Sequence, residues 1–177
     1  MTAVELIQIE MKRLRTGLAG ALSGLTPEQL HAVPGGPGKA NTIAWGVWHL
    51  VRTHDNVVHF VLQNRRTPVW TEDGYADKLG LPPVAQGTGM STEEAQGLRI
   101  KDLALFRTYM DKVAARTDEF LATLDPAALD RAVTVKPLGE MTVGRVLAQV
   151  CVSHGFQHVG EMELARTLVG ASSVSGV

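Results

Sequence analysis

Ser153–Ala165 reads SHGFQHVGEMELA, two histidines four residues apart inside what is otherwise an apolar helical pattern. At about 100° per residue, Val143, Leu147, Val150, Cys151, His154, His158, Glu161 and Ala165 fall on one stripe of a helix expected from Thr142 to just before Gly170. The glycine suits a helix C-terminus. Both imidazoles therefore share the stripe that faces a core, with Cβ atoms about 6 Å apart. Two unpaired imidazoles in a core would each carry a desolvation cost. Convergence on one cation removes it, as in helical zinc sites. HGFQH is not a zincin motif, because no Glu follows the first His as general base.

Three further long segments have the same periodicity. Ile7, Met11, Leu14, Leu18 and Leu22 mark the first, and Thr26-Pro27 then starts a short helix. After the breaker run PGGPGK, Asn41 or Thr42 caps a second long helix to about Gln63. The third runs from about Ile100 to Leu124 on Leu103, Phe106, Met110, Val113, Thr117 and Phe120/Leu121. Ala132–Lys136 reads as a short extended piece and PLGE as a turn. Four long amphipathic helices with little strand signal imply an all-α fold, a four-helix bundle in one domain over 1–177. Residues 64–90 read as a long structureless connection, a functional or partner-contacting loop. Residues 171–177 read as a frayed tail.

Composition narrows the function classes. Lys and Arg number 17 against 18 Asp and Glu, for a net charge of −1. No basic stripe calls for nucleic acid and no polybasic segment for a membrane surface. No run approaches the roughly 18 apolar residues of a membrane span, and the N-terminal segment lacks the pattern of a secretory signal. The single cysteine, Cys151, forms no internal disulfide. These features predict a cytoplasmic protein acting on a small molecule.

A third metal ligand has to come from another helix. His31 reads as a surface residue, whereas His49, His54 and His59 point in three directions from the second helix. His49 shares its side with Trp45, Arg52, Thr53, Asn56 and Phe60, a mixed face that resembles a site wall or, equally, a solvated flank. The opposite side, Ile43, Val47, Leu50, His54, Val58 and Val61, is more uniformly apolar. Helical geometry alone ranks His49 first and leaves the other two open.

The stretches TIAWGVWHLVRTHDNVVHFVL and HGFQHVGEMELAR, with a TPVW segment between them, resemble the DinB/YfiT-like family over nearly the whole chain. The resemblance implies a bundle of four helices in which a histidine of the second helix and an HxxxH pair of the last bind a divalent metal, often nickel or zinc. Those positions match His49, His154 and His158. It also implies thiol chemistry, since relatives include thiol-cofactor-dependent S-transferases and a mycothiol-dependent maleylpyruvate isomerase.

Three imidazoles leave coordination positions open, the pattern of a catalytic zinc site. The expected activity is that of a metal-dependent transferase or hydrolase, with a low-molecular-weight thiol as cosubstrate. The alternative is a non-catalytic helical module that binds metal or a small ligand. Catalytic residues are not fixed by the sequence. Glu161 is a candidate base or partner of His158, against a salt-bridged edge residue. Arg52 is a candidate clamp for an acidic group, against a surface arginine lying over apolar neighbours. Cys151, one turn before His154 on the same stripe, is a candidate ligand or nucleophile, against the more common inert core cysteine. The apolar back of the last helix, Ala148, Val152, Phe156 and Val159, predicts a homodimer surface unless residues 64–90 fold over it.

Overall fold

Helices in this protein begin where the sequence supplies a cap. The computed structural model describes residues 1–174. Thr2 and Glu5 form a reciprocal capping box at the start of α1 (Ala3–Ala21), as do Thr26 and Gln29 for α2 (Pro27–His31). Thr42 caps α3 (Ile43–His54) by accepting from the Trp45 amide. Two short helices follow, α4 (Val69–Glu72) and α5 (Tyr75–Leu79), then α6 (Thr92–Gly97) behind a Ser91–Glu94 box. Asp102 caps α7 (Leu103–Ala122).

The two helices that carry the histidines are not regular throughout. α3 continues without a break into a wide turn, Asp55–Val61, where the Leu62 amide bonds the Val57 carbonyl five residues back at 3.0 Å. The last helix runs as α8 (Val143–Arg145), a second wide segment (Val146–Ser153) and α9 (His154–Leu168). Such π-type turns each insert a residue relative to α-helical spacing.

The insertion corrects the expected stripe. Val143, Leu147, Val150 and Cys151 are buried as predicted, yet His154 and His158 are half-buried and Glu161 is exposed. Beyond the wide segment the buried face is instead Gly155, Val159, Met162, Ala165 and Arg166. The histidines thus stand at the edge of the core, beside α3.

The supposed back of this helix faces α1. Val159 packs so closely on α1 that a Cβ on Gly17 would lie 3.0 Å from its Cγ1. A Cβ on Gly155 would sit 2.5 Å from Leu14 Cδ2. Phe156 is half-buried, with the Arg13 guanidinium 5.7 Å above its ring. Part of this face is therefore covered by α1 within the chain, while Ala148 is exposed and Val152 and Phe156 are half-buried, so the homodimer stays a proposal.

α3 lies at the centre, with every residue from Ile43 to Thr53 buried. Trp45, His49, Arg52 and Thr53 of its mixed face are therefore not a solvated flank, whereas Asn56 is half-buried and Phe60 exposed. The 64–90 segment is not structureless either: Val69, Trp70, Tyr75, Leu79 and Leu81 are buried, and Gly74 and Gly80 take positive φ between the short helices. The expected extended piece is β1 (Ala132–Val135), and the PLGE turn leads into a second strand, β2 (Gly139–Thr142). They pair antiparallel, Ala132 opposite Thr142 and Val135 opposite Gly139.

The tail is tied down as far as it is described; residues 175–177 lie outside the described residues. Buried Arg166 donates from Nη1 to the Ala21 and Ser23 carbonyls at 2.9 and 2.8 Å, and from Nη2 to the Ser172 carbonyl at 2.9 Å. It satisfies carbonyls at the end of α1 and anchors the chain end in one contact. No helix among the described residues is long and apolar enough to cross a membrane.

Candidate metal centre

α3 and α9 pack side by side, with Gly46 of α3 against Met162 of α9, where an added Cβ would lie 3.1 Å from Met162 Cγ. This close approach brings His49 to the pair on α9. His154 Nε2 lies 3.4 Å from His49 Nε2 and 3.0 Å from His158 Nε2. One ligand atom from each of the three lies within 4.8 Å of the others, so the cluster could hold a metal ion.

The far side of each ring decides what the near side presents. His49 Nδ1 is held by the Gln86 carbonyl, and His158 Nδ1 by Glu161 Oε2 at 2.7 Å. Both partners accept, so both Nδ1 atoms carry the proton and both Nε2 atoms present lone pairs. His154 Nε2 stands between two lone pairs and, with one proton, satisfies one of them. A cation satisfies all three. Tetrahedral ligands with bonds of about 2.0–2.1 Å stand about 3.3 Å apart, close to the separations found. The residues fit a divalent ion.

Burial favours the neutral form that coordination requires at His49 and His154. It pushes His49 down to about 4, against the favourable Gln86 carbonyl and with further repulsion from His158 and His154. His154 is lowered for the same first reason, with His158 adding to it. Trp45 stacks on the His49 ring at 4.8 Å between centroids and 9° between planes, fixing its orientation. Gly87 lets the backbone reach the ring. At φ +99°, a Cβ there would lie 2.6 Å from His49 Nδ1.

The model of the DinB superfamily matches residues 10–162, a span that includes all three histidines and Glu161. The chain belongs to the DinB superfamily. Among solved structures, a conserved protein from Enterococcus faecalis is similar in fold, with a TM-score of 0.81. The two are 20% identical over 96% of this chain and 98% of that one. Comparison with curated proteins returns no match.

The histidines of this DinB-superfamily protein open onto a cleft of about 790 Å³, to whose lining His49 and His154 contribute together with Thr53, Asn56 and Gln86. Other candidates from the sequence lie elsewhere. His54 donates to the Cys151 carbonyl at 3.0 Å, and burial pushes it down to about 4. His31 is not a free surface residue: it donates from Nδ1 to the Pro27 carbonyl at 2.7 Å and accepts from the Ile100 amide at 3.0 Å. Cys151 is fully buried and its thiol is pushed up to about 12, so it stays protonated and inert. Glu161 stands behind His158, on the side away from the converging nitrogens.

Arg52 is neither a surface arginine nor part of the cleft lining. It is 4% exposed, with its guanidinium 4.7 Å over the Trp70 ring and Nη1 3.7 Å from Asp55 Oδ2. It belongs to a second polar cluster that the sequence reading missed. Asp55 is fully buried and accepts from the Val69 and Trp70 amides at 2.9 and 2.8 Å. It also accepts from His59 Nδ1 at 2.7 Å and from the Tyr109 hydroxyl at 2.9 Å. Burial, then the Asp55 charge, raises Tyr109 well above the ordinary tyrosine value. This cluster fastens the start of α4 to α3 and α7, at the head of the segment that carries Gln86 and Gly87 back to His49. The signal for it was Asp55 and His59 at i, i+4 in an apolar stretch.

Proposed function

We propose that this protein is a metal-dependent enzyme in which His49, His154 and His158 hold one nickel or zinc ion. The substrate would be a small molecule admitted by the cleft, and the reaction transfer from a low-molecular-weight thiol. The observation that carries the reading is the convergence of three imidazole nitrogens at the wall of an open cleft. Structural sites close around their ion, whereas catalytic sites leave a position free. A bound ion supplies Lewis acidity that brings proton loss from a thiol or water down toward neutral pH.

The chain supplies the rest. The Gln86 carbonyl and the Glu161 carboxylate orient two rings, and Trp45 braces the first. Thr53 and Asn56, on the turns after His49, line the cleft that would admit the substrate. In the transfer, the thiol loses its proton to solvent and sulfur bonds to the electrophilic carbon. The leaving group departs with its electron pair.

Metal analysis of untagged protein, followed by a thiol panel with a chromogenic aryl halide, tests this. The expected result is about one ion per chain and metal-dependent turnover that is lost in a folded His49→Ala variant. Stoichiometric metal without turnover for any thiol would support the non-catalytic binding module instead. Failure to bind nickel or zinc would overturn the reading.

A further inference from the structure

The cleft is lined asymmetrically. The histidines stand at one end of its α3 wall. The same helix then contributes Thr53, Asn56 and Phe60 before it ends at Val61, with Arg65 in the turn beyond; Lys136 comes from the hairpin turn. No Asp or Glu lines this space, although acidic residues outnumber basic ones in the chain. Arg65 and Lys136 are exposed, and neither side chain makes a hydrogen bond or ion pair among the described residues. The other basic groups near this end are engaged: Arg131 donates to the Leu62 carbonyl at 2.8 Å and Arg145 to Gln149 at 3.1 Å. Arg65 is also held in an unusual backbone conformation, at φ 64° beside Asn64 at φ 52°, with its amide on the Phe60 carbonyl at 2.8 Å. Two unpaired cations thus face a cleft whose lining offers no acidic group to neutralise them.

We infer that this end of the cleft is an anion site, and that the substrate is an elongated molecule with an acid group, a carboxylate or phosphate, far from its reacting atom. Arg65 and Lys136 pair with the acid group. Twelve residues separate His49 from Val61, where the helix ends, roughly 15 Å along its axis, and Arg65 follows in the turn beyond. A short acid cannot reach both ends, whereas a thiol built from several linked units and ending in carboxylates can. The anion site stands on the cleft alone. Its link to a reacting thiol rests on the function proposed above.

Two arms separate these claims. In the first, metal-free ¹⁵N-labelled protein is titrated with inorganic phosphate and with succinate. Amide shifts should concentrate at residues 64–66 and 134–138, weaken with salt, and vanish in the Arg65→Glu/Lys136→Glu variant. In the second, nickel-loaded protein is titrated with glutathione and with its diethyl ester. The acid should bind about fivefold more tightly, and the double variant should abolish that difference. Absence of anion shifts at these residues, or acid and ester binding alike, overturns the anion site. Anion shifts without thiol binding leave the site standing and count against the thiol reading.

Discussion

Two polar clusters on one helix, six residues apart, are solved in opposite ways. At Asp55 a fully buried carboxylate meets two amides, an imidazole and a hydroxyl, and the charge is used up within the protein. At His49 the protein satisfies the outer nitrogen of the ring and turns the inner one toward two other imidazoles at the cleft wall. Histidines and carboxylates occur in both places. What separates a fastening from a site is whether the central polar group has finished its bonding inside the chain, as the Asp55 carboxylate has even though Arg52 Nε and His59 Nε2 beside it make no hydrogen bond.

The comparison breaks most directly at Asp55. Asp55→Ala strands two amides, a hydroxyl and an imidazole, and should lower the unfolding free energy by about 3–5 kcal/mol in urea. A loss below about 1 kcal/mol would mean that the cluster is not the fastening described. His154→Ala should do the reverse. Removing the central ligand should weaken nickel or zinc binding by more than about 100-fold, beyond the range for outer partners. Melting with chelator present should stay within about 1 kcal/mol of the parent. A large loss of metal-free stability would show that the triad is itself a fastening.

His54 is an intermediate case, half-buried and satisfied by one carbonyl. Its folded pKa, about 4, lies below the ordinary unfolded value of about 6.5. Acid therefore protonates the unfolded chain first. Stability complete above pH 6.5 should fall as the pH drops toward 4, by on the order of 1–3 kcal/mol. Denaturation in chelator at pH 7 and 4.5 measures it, and His54→Gln should flatten the slope. The smallest effect belongs to Glu161→Ala. Loss of the outer partner of His158 should weaken metal binding about tenfold, with urea stability within about 0.5 kcal/mol of the parent. Unchanged affinity would make Glu161 a bystander.

Long periodic segments were legible in the sequence because a packed face repeats often enough to be seen: Phe106, Val113, Thr117 and Leu121 are buried on α7 as expected. Tyr109, fully buried between them, was missed because its hydroxyl made no sense without Asp55. Trp70, Tyr75 and Leu79 sit in helices of four and five residues, too short to display a period. His154 and His158 could be paired because both lie within the regular α9, whereas the wide segment before them misplaced that pair relative to the core. The anchor of His49 is a backbone carbonyl, Gln86, which no side-chain pattern announces.

The wide turns also give the site a tolerance to chain length. Each absorbs an extra residue within the helix, so removing one residue from Val146–Ser153 would return that turn to ordinary pitch and leave His154 and His158 facing His49. The regular turns of α9 hold no such reserve. A residue removed there would turn all that follows by about 100° against what precedes it. A homologue one residue shorter in the wide segment has kept both helix and site, whereas one shorter between the two histidines has kept only the helix.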